Sequence, residues 1–224
     1  MQKKTMVYIV TLFISCMWNS FVCSFATEPV VSKKNKQHNA RYRIMIDPGH
    51  GGSDFGAYSY NHKIKEKTLC LRLAYILTQQ LRKMGYKVHM TRTKDNYVSL
   101  RSRAKKANQL HTHLFISLHF NASKRKSAHG IEIFYFQSRK GNFVSTRSKF
   151  LAAKVLKEVV YYTRAKSRGI KGRSFAVLKW TQMPAILVEG GFLTNIYECK
   201  KLSDRHYLKR LSWGIAKGVD NFFH

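Results

Sequence analysis

Three short apolar runs, rich in β-branched residues, each end at a residue that can bind a metal ion or transfer a proton. Residues 43–46 lead into Asp47 and His50, residues 114–118 into His119, and residues 185–188 into Glu189. Such runs are typical of strands that are buried on both faces of a parallel sheet. Because ligands bind outside the carboxyl ends of such strands, the sequence predicts that the three ends form one site.

The segments between these runs have helical periodicity, so strands alternate with helices. The pattern predicts strands at 42–46, 86–91, 114–118, 131–136, 174–178 and 185–188, and helices at 65–84, 98–109, 147–164 and 205–222. A chain of 224 residues is long enough for one substantial core. We therefore predict an α/β fold: a single domain with a largely parallel twisted sheet and helices on both faces.

The first 26 residues have the pattern of a signal peptide. Lys3 and Lys4 precede an apolar stretch, and small residues before Thr27 offer a cleavage site. An uncleaved membrane anchor over residues 6–26 is the alternative, and a lipoprotein site at Cys16 fits less well. Either way we expect an exported protein, periplasmic or associated with the cell wall. Residues 27–41 are predicted to be a flexible basic linker and 42–224 the catalytic domain.

The charge of the chain is strongly positive. Loss of Lys3 and Lys4 with the leader would lower the formal net charge from +30 to +28. Such a field attracts nucleic acid, anionic lipid and anionic wall polymer alike. For an exported protein, a wall or membrane surface is the expected partner, and no motif for specific nucleic-acid recognition is visible. Cys70 and Cys199, outside the leader, are expected to be small buried residues, although a disulfide between them stays open.

A catalytic zinc ion takes three protein ligands and leaves a fourth position for water. His50 and His119 each follow a predicted buried strand and supply two ligands. Glu66 lies one turn before the buried stripe of the helix at 65–84, where a carboxylate is costly to desolvate unless a cation meets it. The alternatives are histidines that are only hydrogen-bonded and a glutamate that complements the helix dipole. The other histidines are interpreted as solvated.

Glu189 ends the most apolar strand of the chain. Burial raises the pKa of a carboxyl group toward the range in which it can accept and return a proton. The alternative is a carboxylate neutralised by a neighbouring base, which a chain this basic could provide. Glu198 follows Asn195 by three residues, as in a capping box, and is assigned to structure.

Seven motifs in this order resemble the zinc-dependent N-acetylmuramoyl-L-alanine amidases of the type-3 class. They are Ile46–Asp54 (IDPGHGGSD), Glu66–Lys67, Met90–Arg92, Leu100 with Arg103 and Ala107–Asn108, Phe115–Ala122 (FISLHFNA), Gly130–Glu132 and Leu187–Asn195 (LVEGGFLTN). The resemblance runs from about residue 43 to 195. It implies one α/β domain with one Zn²⁺, which cleaves the amide between N-acetylmuramic acid and the L-alanine of the peptidoglycan stem peptide.

The resemblance also implies roles for individual residues. His50, Glu66 and His119 correspond to the metal ligands and Glu189 to the catalytic carboxylate, and Asn121 and Arg103 are hypothesised to orient the substrate or the ligands. Phe55 and Ile196 stand where relatives often carry proline. Relatives linked to division insert a helical plug that an activator moves. The segment from Ile131 to Phe175 is too short for it, so no activator protein is expected to be required.

Two basic segments and two other functions complete the predictions. Residues 123–126 and 164–173 are expected either to be solvated loops or to bind anionic groups of the wall. A serine-type peptidoglycan peptidase is the alternative enzyme, since Ser102 and Ser123 each precede a lysine by three residues. A non-catalytic wall-binding protein of the same fold is the other alternative, although a pure binder needs no buried Glu189.

Overall fold

A six-stranded sheet forms the centre of the computed structural model, which describes residues 32–137 and 143–224. The strands are β1 (Arg43–Pro48), β2 (Lys87–Met90), β3 (Leu114–Asn121), β4 (Ile131–Tyr135), β5 (Ser167–Gly172) and β6 (Ala185–Phe192). Their order is β2-β1-β3-β6-β4-β5, and only β4 and β6 pair antiparallel. The predicted largely parallel sheet is confirmed. The three strands that lead to the candidate site residues, β1, β3 and β6, are neighbours in it.

Helices cover both faces of the sheet, as predicted. They are α1 (Lys33–Asn39), α2 (Glu66–Lys83), α3 (Leu100–Gln109), α4 (Phe143–Thr163), α5 (Ala176–Lys179), α6 (Ile196–Ser203) and α7 (Arg205–Phe223). Residues such as Ile44 and Ile116 pack with α2, α4 and α7 on one face, and Met45, Phe115 and Leu187 pack with α3 and α5 on the other. Alternate residues of one strand thus enter two separate cores, which explains the continuous apolar runs.

Two glycines set the close packing of α4 on α7. A Cβ atom on Gly214 would lie 2.6 Å from the Cα of Val159, and one on Gly218 would lie 2.4 Å from the Cα of Val155. Backbone lies at each of these positions, so no side chain can move away to make room. The two helices therefore approach more closely than larger residues would permit.

The region around β5 differs from the prediction. Residues 174–178 were expected to form a strand, but α5 occupies most of that segment, and the strand lies earlier, in the segment 164–173 that was expected to be a basic loop. β5 is an edge strand that carries Arg168, Lys171 and two glycines, so it gives no hydrophobic signal. Helix α6 was not predicted, although its N-cap was: the Asn195 side chain accepts hydrogen bonds from the backbone N–H groups of Tyr197 and Glu198.

The structure also differs from the prediction of a flexible linker up to residue 41. Within it, α1 begins after Ser32, whose side chain caps the helix. Asn39 is buried and donates a hydrogen bond of 2.8 Å to the carbonyl of Met84. The ring of Tyr42 stacks on that of Phe223 at 3.9 Å between centroids, and Nε2 of His224 lies 3.0 Å from Oδ1 of Asn39. The first and last described helices therefore meet.

Two predictions concern the leader and the cysteines. The predicted signal peptide, residues 1–26, lies outside the described residues. Within 32–137 and 143–224, no helix combines the length and the apolar character needed to cross a bilayer. Cys70 and Cys199 are both buried and free, as expected.

Candidate metal centre and active site

His50, Glu66 and His119 come together from three different elements. His50 follows β1, Glu66 is the first residue of α2, and His119 lies on β3. Nε2 of His50 and Nδ1 of His119 each lie 3.0 Å from Oε1 of Glu66. One ligand atom from each residue lies within 4.8 Å of the others. The three residues that the sequence singled out as metal ligands thus face one point.

Neighbouring groups orient both Glu66 and His50. The backbone N–H groups of Ala57 and Phe120 donate to the two oxygens of Glu66. Oδ1 of Asp54 lies 2.8 Å from Nδ1 of His50, and the N–H of Gly56 donates to the same oxygen. Asp54 occupies Nδ1 of His50, so Nε2, which faces Glu66, is the ring nitrogen that remains available to a metal ion.

Two glycines leave room for these side chains. A Cβ atom on Gly49 would lie 2.3 Å from Cε1 of His119, and one on Gly56 would lie 2.6 Å from Oε2 of Glu66. Gly56 also has a φ of +65°, which favours glycine. Gly49 and Gly56 therefore make room for His119 and Glu66, because a larger residue at either position would displace one of these side chains.

Burial and charge set the protonation of the two glutamates in opposite directions. Burial alone would raise the pKa of Glu66, but hydrogen bonds from His119 and His50 hold it well below its usual range. Burial raises the pKa of Glu189 well above its usual range, and the negative charges of Glu66 and Glu132 raise it further. Although Glu189 as a whole is partly exposed, its Oε2 is buried and has no hydrogen-bond partner among the described residues.

Both glutamates and both histidines line one cavity of about 350 Å³. Its other walls are mainly apolar and include Leu100, Phe120, Val177 and Leu187, with Asn121 at one side. A cavity of this size holds part of a substrate, and few polar groups in it compete with the reacting ones. Among its lining residues there is neither Ser102 nor Ser123, the two candidates for a serine mechanism.

Two buried arginines hold the turn that carries His50. Arg103 donates to the carbonyls of Pro48 (2.6 Å) and His50 (2.7 Å) and to Oδ1 of Asp47 (2.8 Å). Arg92 donates to the carbonyls of Pro48 (3.1 Å) and Gly49 (2.7 Å). Sequence reasoning proposed Arg103 as an orienting residue but did not assign Arg92, whose only signal was its place in a resembling motif.

A second group of charged residues was also missed. Glu132 is buried beside Glu189 in the sheet, and it accepts hydrogen bonds from Asn121, Arg168 and Lys171. Asn121, hypothesised to orient the substrate, thus holds Glu132. Arg168 and Lys171 lie on the strand that the sequence had assigned to a loop. In the other basic segment, Lys124, Arg125 and Lys126 are exposed, as expected.

Known proteins are similar to this chain in both sequence and fold. The Amidase_3 family model, described as N-acetylmuramoyl-L-alanine amidase, matches residues 44–221. The uncharacterized protein YqiI of Bacillus subtilis is 31% identical over 201 residues, which cover 90% of each chain. The chain spans only 35% to 68% of the length of the curated relatives that are named as amidases.

Solved structures agree with this assignment. The N-acetylmuramoyl-L-alanine amidase from Clostridium difficile 630 is 39% identical, with a TM-score of 0.76 and coverage of 81% of this chain and 96% of that one. The CwlD amidase from Clostridioides difficile, solved in complex with the GerS lipoprotein, is 27% identical, with a TM-score of 0.75 and coverage of 81% and 98%. The family match, the long alignments and the shared fold lead to one conclusion: the chain belongs to the type-3 family of N-acetylmuramoyl-L-alanine amidases.

Proposed function

We propose that this family member uses Zn²⁺ held by His50, Glu66 and His119, with Glu189 as the proton-transferring carboxylate, to cleave the amide between N-acetylmuramic acid and L-alanine. The observation that carries the proposal is the pairing of two unlike carboxylates in one cavity. Glu66 is held ionised between two histidines, whereas Glu189 is desolvated beside them and has an unpartnered oxygen.

The donor set fits a zinc ion. Two imidazoles and one carboxylate are a common ligand set of catalytic zinc, and they leave a position for water. A cation would stabilise the buried Glu66, and Gly49 and Gly56 leave the ligands the space they need. When bound, the ion polarises the scissile carbonyl and lowers the pKa of a water molecule.

Glu189 supplies the proton transfers. Its raised pKa makes it a stronger base than an exposed glutamate, so it can take a proton from the attacking water and return that proton to the departing alanine nitrogen. Its unpartnered Oε2 has no competing bond to break before it accepts. The apolar walls of the cavity exclude bulk water, which strengthens the interactions among the charged groups.

The test is hydrolysis of muropeptides by the mature protein, with and without a chelator, beside Glu189→Gln. We expect the chelator to abolish turnover and added Zn²⁺ to restore it. Glu189→Gln should bind one equivalent of zinc with the affinity of the wild type but lose at least a hundredfold in kcat. Activity that survives both treatments would remove the zinc mechanism.

The alternative mechanism and the alternative function make different predictions. A serine peptidase would be labelled by a β-lactam, and the label would be lost when Ser102 or Ser123 is replaced. A non-catalytic wall-binding protein would sediment with sacculi and release no peptide from them. The cavity residues favour the zinc enzyme over both, because neither alternative uses a desolvated Glu189.

We further propose that the enzyme needs no activator. The described residues that line the cavity include none from α4, the helix between β4 and β5, where a plugging segment would be inserted. Purified protein should therefore digest peptidoglycan by itself. Digestion that begins only after a partner protein is added would contradict this, and the CwlD complex makes lipoproteins the partners to test first.

The relatives named as cell-wall amidases indicate action at the wall. We propose that residues 1–26 direct export and that residues 123–126 bind anionic wall polymer. Protein recovered from the cell exterior should begin at Thr27. Replacing Lys124, Arg125 and Lys126 with glutamine should weaken sedimentation with sacculi and flatten its salt dependence. Unchanged binding across salt would make this loop a solvated surface only.

A further inference from the structure

A row of ionisable residues begins at two cavity residues, His119 and Glu189, and crosses four neighbouring strands. His119 of β3 pairs with Glu189 of β6, and Glu189 pairs with Glu132 of β4. β5 lies next and brings Arg168 and Lys171 to Glu132. Directly paired residues point to the same face of a sheet. The order across the sheet is therefore His119, Glu189, Glu132 and then the two cations.

Glu132 has one negative charge but is paired with two positively charged side chains. Its side chain is only 6% exposed, and its Oε2 accepts from Nε of Arg168 (3.2 Å) and from Nζ of Lys171. Its Oε1 accepts from Nδ2 of Asn121 at 2.6 Å. One cation is enough to neutralise a buried carboxylate. Two cations on one carboxylate leave one positive charge that Glu132 does not neutralise, next to Asn121, which lines the cavity.

Both cations are held in place yet remain accessible. The side chains of Arg168 and Lys171 are 32% and 35% exposed. The guanidinium of Arg168 also lies 4.9 Å from the ring centre of Phe192, and its Nη1 donates to the carbonyl of His129. These contacts leave Nη2 of Arg168 and two N–H groups of Lys171 for another acceptor. Fixed cations of this kind suit a carboxylate, which accepts from two donors at once.

The spacing of the strands matches the spacing of groups on a peptide. β5 lies two strands from Glu189, which is about 10 Å, and the long side chains reach part of the way back. An extended peptide advances by about 3.5 Å per residue, so two residues span about 7 Å. We propose that Arg168 and Lys171, fixed by Glu132, bind a carboxylate that the stem peptide carries one or two residues beyond the scissile bond. This subsite rests on the proposed function, since it selects among substrates of that same site.

The test uses pairs of free stem peptides that differ in one group. The residue after L-alanine carries either a free carboxylate or the primary amide, and the affinity of each peptide is measured by NMR titration at low salt. The wild type should bind the carboxylate form about fivefold more tightly. Arg168→Gln and Lys171→Gln should each bring the ratio close to one. Each single variant removes the surplus charge but leaves one cation on Glu132, so the buried carboxylate stays paired.

Two further variants separate the subsite from general effects. Lys87→Gln removes an exposed lysine at the amino end of β2, far from the cavity, and should keep both the ratio and the turnover of the wild type. Lys171→Arg keeps the charge and should keep the preference. Equal affinity of the wild type for both peptides, or an unchanged ratio in Arg168→Gln and Lys171→Gln, would overturn the subsite. A clear preference without turnover of any muropeptide would instead refute the proposed hydrolysis.

Discussion

Removal of Arg103 should destabilise the protein more than removal of any exposed arginine. Arg103 and its partner Asp47 are 2% and 1% exposed, so the ion pair is fully desolvated. Arg103→Leu would leave the Asp47 carboxylate buried with only the hydroxyls of Thr91 and Ser117. Removing one partner of a buried pair costs about 3–5 kcal/mol of unfolding free energy. For a domain of this size that corresponds to a fall in Tm of about 10 °C.

The measurement is thermal unfolding followed by circular dichroism, with Arg101→Leu as the control. Arg101 lies on the exposed side of the same helix, so its loss should change the Tm by no more than about 2 °C. The double variant Arg103→Leu with Asp47→Asn should recover part of the loss, because no charge is then left unpaired. A Tm of Arg103→Leu as high as that of Arg101→Leu would refute the reasoning.

Arg103→Lys separates charge from geometry. Lysine keeps the positive charge beside Asp47 but lacks the planar fork that reaches the carbonyls of Pro48 and His50. We expect an intermediate Tm and weaker zinc binding, since the turn that carries His50 loses its hydrogen bonds. Zinc affinity equal to that of the wild type would show that Arg103 acts only through its charge.

Three further predictions concern the surroundings of the site. Asp54→Asn should lower zinc affinity by about 10–100-fold in competition with a chromophoric chelator, because Asp54 orients His50; an unchanged affinity would contradict that role. Gly49→Ala should displace the ring of His119 and weaken zinc binding at least tenfold in the same assay, and normal binding would show that the turn can shift. Burial would raise the pKa of Glu132, but Lys171 and Arg168 hold it below its usual value of 4.5. The ionised Glu132 therefore contributes its full stabilisation above about pH 4.5, and this contribution is lost as the pH falls through the lower pKa of the folded protein. Glu132→Gln should therefore flatten the acid side of the curve of unfolding free energy against pH, and an unaltered curve would argue against the shift.

The central strands and the proposed ligands could be predicted from sequence because their signals are local. Strands β1, β3 and β6 are buried on both faces and therefore largely apolar, so a charged or ionisable residue toward the end of each is conspicuous. Glu66 was found by helical periodicity, since it shares the buried stripe of α2. In each case a short stretch of sequence contains both the apolar pattern of a strand or helix and the ionisable residue that interrupts it.

The cation pair on Glu132 could not be predicted in the same way. It depends on the insertion of antiparallel β4 between β6 and β5, and no local pattern encodes that order of strands. β5 is half-buried, basic and interrupted by glycines, so its residues have the composition of a loop. α1 was missed for a related reason: it is polar along most of its length, and its position depends on the buried Asn39 and its contact with Met84.

The meeting of α1 with the end of α7 has a consequence for engineering the enzyme. Both ends lie at the amino edge of the parallel strands, since the backbone of Lys36 packs against Gly85 just before β2. β1 is six residues long, which puts about 20 Å between that edge and the metal ligands. Domains joined to either end are therefore expected to leave the cavity open. Because His224 contacts Asn39 at the end of α1, a peptide that joins residue 224 to Ser32 across the length of this one short helix should allow circular permutation, with new termini in the exposed loop at 123–127.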